Sequence, residues 1–120
     1  MISIDRFTQL LNEAAGLLPR EIFTGLNLGI GVIEGSKRKK AAASGAPIFI
    51  LGEYKASHSL GRGILLYYGS FLMVYPDLKD DDDGQRIISD VLKHELTHHL
   101  ESQAGSRDLE IADAKRLMKF

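Results

Sequence analysis

The stretch from Gln85 to Ala104 constrains this chain more than any other, because its apolar residues recur at helical spacing and three of the four histidines fall inside it. On a wheel turning ~100° per residue, Ile88, Val91, Leu92, Leu96 and His99 share one face. Arg86, Ser89, Asp90, Lys93 and Thr97 lie roughly opposite. The spacing therefore predicts a long amphipathic helix with one face in the core. His94 and His98 fall on the border between the two faces, one turn apart, where side chains line a cleft without being sealed in. His99 points among the apolar residues and reads as a packed, hydrogen-bonded histidine.

Two imidazoles at i and i+4 can converge on one ion at Zn–N distances of ~2.0–2.1 Å. Glu95 completes the pattern His-Glu-x-x-His and projects about 100° round the helix from His94, toward a water held by a metal rather than toward the metal. A carboxylate in that place can take the proton of the water as it attacks a carbonyl and pass it to the leaving amine. His94 and His98 are thus candidate zinc ligands, and Glu95 is the candidate general base and acid.

The rest of the chain supplies a scaffold. Phe7, Leu10, Leu11, Ala14 and Leu18 predict a first amphipathic helix over about residues 4 to 17, with Ser3 or Asp5 as cap and Pro19 as terminator. Leu26, Leu28, Ile30 and Val32 alternate and predict a half-buried strand. Glu34 to Gly45, which holds Lys37-Arg38-Lys39-Lys40, reads as a solvated loop. Ile48 to Leu51 predicts a buried strand that Gly52-Glu53-Tyr54 ends. Ile64 to Tyr68 and Phe71 to Tyr75 are two β-rich runs, joined at Gly69-Ser70 by a type II′ turn or by a bulge in one long strand. Asp80 to Asp83 lacks the alternating spacing of a calcium loop and reads as a solvated run before the next helix. A third helix is expected from Ser106 or Asp108 to Lys119, with Gly105 as the break. The expected class is α+β in a single domain, residues 1 to 120.

Composition removes several other functions. The chain has no cysteine, which excludes disulfides, thiolate metal sites and a cysteine nucleophile. A net charge of −1 gives no general attraction to nucleic acid or to an anionic membrane. No window approaches the ~20 apolar residues of a membrane span, and Asp5 and Arg6 interrupt any secretory pattern at the start. A cytoplasmic protein is expected. His58 reads as a solvent-facing residue, and Met118 as core beside Leu117. Tyr67, Tyr68 and Tyr75 are candidates for steadying a developing oxyanion, against the plainer reading as packing residues in a strand. The run Ile64 to Tyr75 is a candidate edge strand for pairing with an extended peptide.

His94-Glu95-Leu96-Thr97-His98 is the zincin signature. Together with the short length, the leading helix, Ile50 to Tyr54 and Ile64 to Tyr75, it resembles the small bacterial zincin-like metallopeptidase family over nearly the whole chain. The resemblance implies a one-domain zincin: a small mixed sheet packed on an N-terminal helix and an active-site helix, a C-terminal helix, and zinc held at the active-site helix. Family members often continue His-Glu-x-x-His-x-x-Gly-x-x-Asp, with the aspartate as third ligand. Here Glu101 and Ala104 occupy those two positions, and Gly105-Ser106-Arg107-Asp108 restores the pattern one helical turn later. The resemblance thus points to Asp108 as the third metal ligand, with Glu101, Glu110 and Asp113 as rivals.

The leading expectation is a zinc-dependent metallopeptidase acting on a peptide or an unfolded segment. Its alternative keeps the metal and drops catalysis, as a peptide-binding or regulatory module on the same scaffold.

Overall fold

The computed structural model describes residues 1–39 and 45–103. Helix α1 spans Ile4–Gly16, and Ser3 caps it by accepting a hydrogen bond from the Arg6 N–H at 3.1 Å. Phe7, Leu10, Leu11 and Ala14 form its buried stripe, as their spacing predicts. A 3-10 turn, Arg20–Phe23, leads to strand β1, Gly29–Ile33. Strands β2 (Lys37–Lys39), β3 (Ile48–Ile50), β4 (Gly52–Ser57) and β5 (Gly61–Tyr67) follow. Helices α2 (Tyr68–Val74) and α3 (Asp82–Ser102) complete the order.

The fold class is α+β, and its main sheet is mixed, in the order β1-β5-β4. Strand β5 lies in the centre, parallel to β1 with Ile30 opposite Ile64, and antiparallel to β4 with Tyr54 opposite Ile64. Ile64 and Leu66 of β5 are buried and share one core with the stripe of α1 and with Ile88, Leu92, Leu96 and Leu100 of α3. Phe7 meets Phe71 edge to face at a centroid distance of 4.9 Å, which ties α1 to α2. Gln85 donates to the Leu10 carbonyl at 3.1 Å, and Arg6 pairs with Asp80, so polar contacts also hold α1 to the start of α3.

Four local expectations are corrected. The basic run does not stay a loop: Lys37–Lys39 pairs with Ile48–Ile50 as a two-stranded sheet. Buried Ser70 fixes its end by accepting from the Lys37 N–H at 2.9 Å, so backbone pairing overrides the pull of the charges toward solvent. Gly52-Glu53-Tyr54 begins a strand instead of ending one. Phe71 to Val74 is helical rather than extended and Tyr75 caps the helix, because Tyr68, Phe71, Leu72 and Tyr75 place a stripe on the core at helical spacing. Gly69-Ser70 is neither turn nor bulge but the first turn of α2. A Cβ at Gly69 would stand 2.7 Å from the Gly35 backbone, which explains glycine there by close approach.

The acidic run serves the helix, as expected. Asp81 accepts from the Gly84 N–H at 2.8 Å as N-cap of α3, and Asp82 and Asp83 occupy its first turn. The expected third helix lies outside the described residues. Among those described, no helix is long and apolar enough to cross a membrane.

Candidate metal centre

The site is built on the middle of α3, where Ile88, Leu92 and Leu96 face the core without exposure and fix the rotation of the helix. That rotation leaves His94 and His98 more open to solvent and turns Glu95 inward to 6% exposure. The two Nε2 atoms converge to 3.2 Å, with the rings edge to face. Two nitrogens at ~2.05 Å from a tetrahedral zinc stand about 3.3 Å apart, so the pair has the bite this metal requires. Both imidazoles use the same nitrogen, which leaves each Nδ1 for a supporting contact.

Glu95 lies under strand β4. A Cβ at Gly52 would come within 3.2 Å of both the Glu95 Cγ and the Val91 Cγ1, so glycine lets the strand rest on the helix at this point. Burial pushes the Glu95 carboxyl above its ordinary range. The neighbouring His94 and His98 and a hydrogen bond from the Tyr54 backbone oppose that rise, while Glu53 adds to it.

The next turn of α3 anchors this arrangement. His99 has no exposure; its Nε2 donates to the Thr24 carbonyl at 2.8 Å, which leaves Nδ1 to accept from the Tyr54 hydroxyl at 3.0 Å. Burial holds its pKa below the ordinary value, consistent with a neutral ring. Ser102 reaches the same hydroxyl at 2.8 Å. The packed role expected for His99 is what the structure shows, and Tyr54 is its missed partner. Nothing in the local pattern around Tyr54 announces this, because the bond joins residues 45 positions apart.

On the other face of β4 sits a second polar group. Glu53 accepts from Lys37 Nζ at 2.6 Å and from the Tyr67 hydroxyl. The Lys37 ammonium and the Tyr67 hydroxyl hold the Glu53 carboxyl below its ordinary range. Tyr67 is therefore committed away from the histidines, and Tyr68 donates to the Ile2 carbonyl. Of the three tyrosines proposed for an oxyanion, Tyr75 alone lines the cleft that holds His94 and Glu95. That cleft, about 420 Å³, runs along α3 beneath Ile50, Leu51 and Gly52.

The expected edge strand is also relocated. Strand β5 has neighbours on both sides and residues 68–74 are helical, so the run Ile64 to Tyr75 offers no edge. Among the described residues, β4 has a partner only in β5. The Tyr67 N–H bonds to the Leu51 carbonyl, and by the alternation of an antiparallel ladder the backbone groups of Gly52, Tyr54 and Ala56 face away from β5, where the Tyr54 N–H is already taken by the Glu95 carboxylate.

His58 is exposed in the turn between β4 and β5, as expected. Among the described residues, no group of three histidines or carboxylates is placed to hold a metal. Asp108, Glu110, Asp113 and Met118 lie outside the described residues.

No protein-family model and no curated protein matches the sequence. Among solved structures, the chain is similar to a conserved hypothetical protein from Thermo thermophilus, at 32% identity and a TM-score of 0.69. The similarity covers 86% of this chain and 98% of that one. The chain belongs to the family of that conserved hypothetical protein.

Proposed function

We propose that this protein is a zinc-dependent metallopeptidase. The observation that carries the reading is the 3.2 Å convergence of the His94 and His98 Nε2 atoms beside a buried, cleft-lining Glu95. His94 and His98 would hold the ion, with Asp108 as third ligand. Zinc there supplies Lewis acidity toward a carbonyl and acidifies water. Glu95 acts as the proton carrier: it accepts the proton of the attacking water and delivers it to the leaving amine. Its raised pKa suits the first half of that task, because a carboxylate with a higher pKa is the stronger base toward the attacking water. The free edge of β4 offers backbone donors and acceptors to an extended substrate, which fits a peptide better than a compact small molecule.

The test is hydrolysis of an unfolded protein by zinc-loaded wild type and by Glu95→Gln. Wild type is expected to cleave it, and the variant to lose about 10²- to 10⁴-fold in rate while retaining metal. Peptide binding by both without cleavage by either would discard catalysis in favour of a peptide-binding module.

A further inference from the structure

Strand β4 rests on α3 at Gly52, where the absent side chain lets it lie against Val91 and Glu95, and Tyr54 ties it to the helix twice more. The Tyr54 ring crosses to the next turn of α3, its centroid 5.3 Å from that of His99. Its hydroxyl reaches His99 Nδ1 at 3.0 Å and Ser102 Oγ at 2.8 Å. Its backbone N–H donates to the Glu95 carboxylate.

The spacing makes these contacts a register lock. Two residues of strand advance about 6.6 Å and four residues of helix about 6 Å, so Gly52 over Glu95 and Tyr54 over His99 are matched steps. Strand alternation puts the Tyr54 side chain on the α3 face and Glu53 on the other. Ladder alternation turns the Tyr54 N–H away from β5, which leaves it for the carboxylate. The far end of the tether is itself fixed, because His99 Nε2 donates to the Thr24 carbonyl at 2.8 Å. An N–H held in this way restrains one oxygen of a carboxylate and limits its rotation, which a proton carrier beside a metal pair requires.

We infer that Tyr54 is the positioning residue of this site: its hydroxyl, pinned to His99 and Ser102, places its own backbone N–H to hold the Glu95 carboxylate beside His94 and His98. The catalytic use of that placement rests on the peptidase reading, whereas the placement itself can be tested without turnover.

Amide hydrogen exchange followed by NMR on the full chain tests the placement. Corrected for local sequence, the Tyr54 N–H should exchange about 10²-fold more slowly than the Ala56 N–H, which faces the same edge. Glu95→Ala should erase that difference while Glu53 and Lys55, paired to β5, keep their protection, and Glu95→Gln, which retains an acceptor, should preserve most of it. With zinc and an unfolded protein as substrate, Tyr54→Phe should lower kcat about fivefold and leave KM within about twofold. Phe7→Leu, a core substitution on α1 against Tyr68 and Phe71, should lower stability and leave kcat unchanged. Fast exchange at Tyr54 in the wild type, protection that survives Glu95→Ala, or an equal loss of kcat in Tyr54→Phe and Phe7→Leu overturns the inference. Protection that depends on Glu95 in a zinc-loaded protein that cleaves nothing supports the placement and removes the peptidase reading.

Discussion

Strand β4 separates two carboxylates whose surroundings push them in opposite directions. Glu53, on one face, has an ammonium and a phenol on the same oxygen, which keeps it ionised. Glu95, on the other, is buried beneath Gly52 beside two more open imidazoles, and burial makes its charged form less favourable. A carboxylate that is fully answered by its neighbours holds structure together and has no reason to exchange a proton. One that is buried and only partly answered is suited to exchange it. The contrast gives Glu53 a tethering role and, under the proposed function, makes Glu95 the one suited to proton transfer, though the two belong to the same residue type and flank one strand.

The strongest way to break this contrast is to exchange both side chains for amides. Glu95→Gln should abolish peptide hydrolysis, a loss of about 10²- to 10⁴-fold, with little change in the thermal midpoint. Glu53→Gln should do the reverse, keeping most activity and losing stability. Assay of both variants for rate and melting decides it, and an active Glu95→Gln protein would collapse the distinction.

Gly52→Val tests the contact that buries Glu95. Its side chain meets the Glu95 Cγ and the Val91 Cγ1, so the strand must lift, costing about 1–3 kcal/mol in chemical denaturation and lowering turnover as the carboxylate is displaced. Tyr54→Phe is milder. It removes the hydroxyl shared with His99 and Ser102, and the expected loss is about 1 kcal/mol in the same measurement.

The smallest effect is a pH dependence. The folded pKa of Glu53 is depressed, so the stability it contributes is present above its unfolded value of ~4.3 and is lost as pH falls through the folded value. Wild type and Glu53→Gln should therefore differ most near neutrality and converge in acid. Melting curves from pH 7 down to about 3 check the sign, and a gap that widens in acid would contradict it.

The same comparison shows what could be read before any coordinates. The α3 side was legible because its signals are local: a 3.6-residue apolar period, an acidic cap, and two histidines one turn apart. His99 could be assigned to the core from the wheel alone. The Glu53 side was not legible, because Lys37, Glu53 and Tyr67 meet only through strand pairing across distant segments, and a basic run suggests solvent until its partner strand is known. The helix at Tyr68–Val74 is hidden in the sequence because aromatic and aliphatic residues favour a strand by type, while the stripe at positions 68, 71, 72 and 75 favours a helix by spacing. Spacing prevailed because Phe71 packs fully into the core.

The central claim is that His94 and His98 hold zinc, and metal analysis of protein purified without chelators tests it most directly. Wild type and Glu95→Gln should each carry about one zinc per chain, and His94→Ala and His98→Ala should carry almost none. Wild-type protein without a stoichiometric transition metal, or histidine variants that retain it, would contradict the account.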